Sequence, residues 1–159
     1  MAATRYRSAG DAGRGNTTGF SNVAIGIGTL RVNTNKNNLV AIGDSALYNN
    51  GFGADPLVVT DATNNTAVGS KSLFTNTTGN TNTATGYQTL FSNTSGSANT
   101  ANGHLSLYSN AVGYNNTATG YQALYNNVDG SSNTATGFGT LFSNITGTTN
   151  TASGYQALY

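Results

Sequence analysis

Apolar and polar positions along this chain recur every 17 residues, a beat too regular for a globule built around one central core. Position zero is a glycine: Gly26, Gly43, Gly69, Gly86, Gly103, Gly120, Gly137 and Gly154. Alanine always stands at −2. Leucine always stands at +4, as Leu30, Leu47, Leu73, Leu90, Leu107, Leu124, Leu141 and Leu158. An aromatic follows at +5 from Tyr48 to Tyr159, with Arg31 alone out of pattern. Asparagine holds −4 in every unit except at Leu39, and holds +7 as Asn33, Asn50, Asn76, Asn93, Asn110, Asn127 and Asn144. A second glycine recurs at +10 from Gly79 to Gly147. The spacing changes once, between Gly43 and Gly69, where it is 26, one unit plus nine residues.

Within a unit, Thr-Ala-Thr-Gly and Ala-Leu-Tyr read as short strands, bounded by Asn, Ser and Gly. No helical stripe survives the polar turns. Two short strands per 17 residues predict an all-β fold, one coil of a parallel β-solenoid (a β-roll) for each unit. Coils would stack about 4.8 Å apart with identical side chains in register. Asparagines at +7 then form a hydrogen-bonded ladder, although a turn-capping role fits the same residues. Leu at +4 and the aromatic at +5 point to opposite faces of a strand. So small a coil hides only one of these ladders, and the other becomes an apolar stripe that self-association would cover. A half-exposed ladder tolerated through its tyrosine hydroxyls is the alternative.

The stretch Asn16-Thr17-Thr18-Gly19 matches Asn76-Thr77-Thr78-Gly79, so the array is expected over residues 16–159, after an N-terminal leader of residues 1–15. The irregular spacing marks an inserted loop at about residues 51–61. It holds the only proline and an apolar Leu57-Val58-Val59 run. Insertions in solenoids protrude on one face and often bind. Phe52, Asp55, Pro56 and Asp61 are therefore the candidate contact residues, with a loop that clasps the neighbouring chain as the structural alternative.

Asn22-Val23-Ala24-Ile25-Gly26 and Leu39-Val40-Ala41-Ile42-Gly43 resemble the Val-Ala-Ile-Gly core of head repeats in the trimeric autotransporter adhesins, the YadA-like family. The Asn-Thr-Ala-Thr-Gly-Tyr-Gln-Ala-Leu-Tyr version is similar to repeats of bacterial surface fibres and phage tail-fibre-like proteins. The resemblance implies a left-handed β-roll, a homotrimer, and an extracellular, cell-surface or virion fibre. Such a fibre spaces or presents a tip that binds a host-cell, prey-cell or glycan surface.

Composition narrows the chemistry. Charged residues are 7% of the chain against about 25% in ordinary soluble domains. All six basic residues lie at or before Lys71, and residues 72–159 carry one formal charge, Asp129. A net charge of +1 gives no reason to expect nucleic acid or an anionic membrane as partner. With no cysteine and one histidine, thiolate sites and two-histidine metal motifs are excluded. His104 sits at +1, where other units carry Tyr or Phe, and reads as a ladder variant. The aspartates recur at no repeat position, so neither a calcium array nor a paired-carboxylate hydrolase is suggested. No catalytic residue, cofactor or metal is expected, and a tailspike-like depolymerase is disfavoured for want of a carboxylate pair. No apolar run is long enough for a membrane-spanning helix, and residues 1–10 lack a signal-peptide core. A segment of a longer fibre, or a virion protein without secretion signal, is expected. The alternative function is an ice-binding solenoid, because Thr66, Thr83, Thr100, Thr117, Thr134 and Thr151 form a rank at −3, joined by Thr85, Thr119 and Thr136 at −1.

Overall fold

The computed structural model describes residues 5–55, 57 and 61–159. It is a parallel β-solenoid, with no helix among the described residues. Among the described residues, nine strands form one sheet in chain order: β1 (Arg5–Ser8), β2 (Asn22–Ile25), β3 (Val40–Ile42), β4 (Thr66–Val68), β5 (Thr83–Thr85), β6 (Thr100–Asn102), β7 (Thr117–Thr119), β8 (Thr134–Thr136) and β9 (Thr151–Ser153). Each strand pairs with the next in strict register, so that Ala84 faces Ala101 and Ala101 faces Ala118. The 17-residue step therefore carries the chain once around the coil and returns each residue beside its equivalent. Strand β1 comes from the segment read as a leader. Arg5 pairs with Asn22 and Ser8 with Ile25, one unit apart. The unit is already running at Arg5, with Ala9 in the place of the position-zero glycine and itself at φ 83°.

The second expected strand is absent. Ala-Leu-Tyr lies in a turn, and the leucines at +4 adopt φ between 48° and 53° wherever they occur. The adjacent +2 residue also turns left-handed, as at Gln88 and Gln122. A left-handed leucine costs roughly 1–2 kcal/mol, and the cost is offset because this corner drives the side chain into the coil. Leu47, Leu73, Leu90, Leu107 and Leu124 are completely buried. The opposite-face expectation for +4 and +5 holds, but through a corner and not through strand alternation. Coil-to-coil hydrogen bonds continue across it, from the Leu90 N–H to the Ser106 carbonyl and from the Ser92 N–H to the Tyr108 carbonyl.

The interior has an apolar side and a polar side. The −2 alanines, the +4 leucines and small residues at +3 fill the first. Hydroxyls at +3 are spent on main-chain carbonyls, Thr89 on Gly103 at 2.7 Å, Thr29 on Gly26 at 2.9 Å and Ser106 on Ala118 at 3.2 Å. The polar side holds two columns of asparagine. Each +7 amide donates to the asparagine of the preceding coil and to the +10 carbonyl of its own: Asn110 reaches Asn93 Oδ1 at 2.8 Å and the Gly113 carbonyl at 3.0 Å. The −4 column reaches the same carbonyls from the other side, Asn99 to Gly113 at 2.8 Å, while its Oδ1 accepts the Asn116 N–H at 3.0 Å. No buried side-chain nitrogen or oxygen among the described residues lacks a partner.

Two glycine columns make this stacking possible for different reasons. At position zero φ lies between 123° and 134°, a region that side chains avoid. At +10 the conformation is ordinary, but a Cβ on Gly113 would strike the Gly130 carbonyl and Asn110 Oδ1.

Asn110→Ala leaves Asn93 Oδ1 without its donor and takes an acceptor from Asn127. We expect a loss of at least about 2 kcal/mol by chemical denaturation, whereas Asn126→Ala, outside the ladder, stays within about 0.5 kcal/mol. Gly113→Ala is expected to be more damaging than Gly10→Ala, where a Cβ meets nothing within 4 Å.

Candidate functional site

Three surface features run along or interrupt the solenoid: the outer face of the sheet, two aromatic ladders and the insert. The sheet face presents positions −3 and −1, because the −2 alanine points inward. On β2 and β3 these positions are Val23, Ile25, Val40 and Ile42, all half-buried. From β5 onward they are exposed and polar. Position −3 is Thr83, Thr100, Thr117, Thr134 and Thr151; position −1 is Thr85, Asn102, Thr119, Thr136 and Ser153. None of these ten side chains forms a hydrogen bond with another described residue, whereas the hydroxyls of Thr75, Thr77 and Thr94 are bonded to carbonyls of the next coil. No charged residue stands at −3 or −1 from β2 to β9.

The aromatic residues at +5 form one continuous stack from Tyr48 through Phe74, Phe91, Tyr108, Tyr125 and Phe142 to Tyr159. Their ring centroids lie 4.9 to 5.3 Å apart and their planes within 20°. Arg31, the exception at +5, continues the column as a cation 5.7 Å from the Tyr48 ring centre. A second stack at +1 joins Tyr87, His104, Tyr121, Phe138 and Tyr155 at 5.0 to 5.2 Å. His104 thus sits within the ladder, as its position in the unit predicted. Rings stacked at one coil rise cover one another's faces and offer their edges outward. The second stack remains exposed, Tyr87 by 45% and Tyr155 by 73%.

At the insert, Asn50 donates to the Ala62 carbonyl at 2.8 Å, so Ala62 does the work of the +10 glycine, with the nine extra residues between the two in sequence. Phe52 and Leu57 are exposed, and Asp55 Oδ1 accepts the Leu57 N–H at 2.8 Å. Asp61 is half-buried, no hydrogen bond joins it to Asp55, and Pro56 lies outside the described residues. What the sequence reading missed is the loop's relation to Lys36, which occupies +10 in the coil before it, where the array has glycine. Lys36 is 1% exposed, its Nζ lies 3.5 Å from the Asp55 carbonyl, and its stem runs beside Gly51. The signal was present in the sequence, since the one lysine at +10 sits one coil before the one insertion.

No group of three metal-ligating side chains occurs among the described residues. No helix among them is long and apolar enough to cross a membrane. No family model matches the chain, and no curated protein or solved structure matches it.

Deleting residues 51–59 brings Ala62 to +10 and restores a 17-residue coil, but sets it directly over the Lys36 side chain. The deletion alone is expected to lower the melting temperature, and the deletion combined with Lys36→Gly to recover most of the loss. Additive effects of the two changes in a thermal-melt cycle would show that lysine and loop are independent.

Proposed function

We propose that this chain is a non-enzymatic segment of a trimeric extracellular or virion fibre, with a left-handed coil, that spaces or presents a surface-binding tip. The observation that supports this reading is the outer aromatic ladder. Seven rings in register make an apolar stripe along the array, half-buried by the chain from Tyr48 to Phe142, parallel to a more exposed one at +1. Two distinct parallel stripes suit a ring of three chains, in which one surface of each copy meets a different surface of the next. A rod with translationally repeated contacts gains interface with every added coil, which suits a spacer. The repeated unit offers no place where a single set of reactive groups is concentrated. The insert is the feature suited to contact a cell or glycan, through Phe52 and Asp55 at its exposed edge.

Light scattering on a sizing column is expected to give a mass of three chains, unchanged on dilution. Replacing Phe91, Tyr108 and Tyr125 by serine should lower that mass while the β signal in circular dichroism persists. A wild-type chain that runs as a monomer at every concentration overturns the trimeric reading.

A further inference from the structure

We infer that the outer face of β5–β9 binds ice, its unbroken rank of threonine hydroxyls at −3, joined at −1 by hydroxyls at every strand but β6, fitting an ordered water lattice. The first support is that the fold does not require threonine there. Strands β2 and β3 carry Val and Ile at the same positions and pair in the same register. Aliphatic β-branched residues satisfy the sheet equally well. Nor does the interior use the hydroxyls, since none of the ten side chains on this face bonds to another described residue, although threonines elsewhere in the coil do. The reason for polarity at −3 and −1 therefore lies outside the chain.

The geometry narrows what lies there. In-register parallel strands hold the ranks flat, about 4.8 Å apart from coil to coil and about 6.6 Å apart between −3 and −1. The resulting two-dimensional mesh approximates the oxygen repeat on ice surfaces. Each threonine adds a methyl beside its hydroxyl, so water is ordered around the group while the hydroxyl joins the lattice. The face carries no charge that would hold a disordered hydration shell. A protein partner has an irregular surface and does not call for threonine repeated at −3 over five strands. Crystalline polysaccharide is read by open aromatic faces, and the ladders of this chain offer only ring edges.

This inference is independent of the fibre reading. Freezing hysteresis and ice-crystal shaping would be measured on the full chain and on Thr117→Tyr, with Thr117→Val and Tyr121→Ser alongside and solution mass recorded for each. The wild type is expected to shape ice and hold a freezing gap. Thr117→Tyr should reduce that gap several-fold with circular dichroism and mass unchanged, and Tyr121→Ser, on another face, should retain it. Thr117→Val, which keeps shape and methyl, is expected to fall between. Absence of any gap in the wild type overturns the inference, as does full activity in Thr117→Tyr. A change of mass in Thr117→Tyr also overturns it, because the face would then be an interface between copies.

Discussion

A carbonyl at the polar turn of each regular coil accepts two asparagine amides, one from each side, and the rest of the cross-section is arranged around that junction. The Gly113 carbonyl, held by Asn99 and Asn110, is representative. Closing a chain every 17 residues buries main-chain groups that no strand partner can reach. Unpaired, each would cost roughly 1–3 kcal/mol. Primary amides suit the task because each has two donors and an acceptor. One donor serves the local carbonyl, and in the +7 column the other donor and the acceptor serve the coils on either side. Glycine at +10 follows in the regular coils, since a Cβ there would occupy the space of the next carbonyl; Lys36 and Ala62 stand in its place only beside the insert.

The polar junction also explains why the apolar interior can be so small. Alanine, leucine and one small residue are all that each coil contributes, too little to fold a unit of this size alone. Stability belongs to the interfaces between coils, and each added coil buries the face of the one before it. Left-handed leucines are tolerated within this arrangement because the corner they make buries the leucine side chain completely inside the coil from Leu47 to Leu124.

Much of this is legible in the residues. The glycine beat, the inward alanines, the buried leucines and the asparagine ladder each follow from residue type and spacing. The turn at Ala-Leu-Tyr does not, because nothing about leucine marks a left-handed backbone and its neighbours satisfy a strand pattern equally well. The coil at Arg5–Ser8 is hidden for a related reason. Arg7 replaces the inward alanine and Ala9 the glycine, so that only the register with β2 reveals the unit. Of the surface features, the threonine ranks and the position of the insert can be read directly. The link between the insert and Lys36 cannot, since two residues become neighbours across a coil only once the step of the solenoid is fixed.

That link bears on a hazard peculiar to repetitive chains. Near-identical units are interchangeable, and a coil displaced by one whole unit would find almost the same partners it left. Such degeneracy invites misthreading, between copies as well as within one. Lys36 beneath the loop at Gly51–Asp55 is a pairing that no other coil can imitate. It acts as an index mark on an otherwise uniform scale, giving the array a single origin from which every later rung is counted.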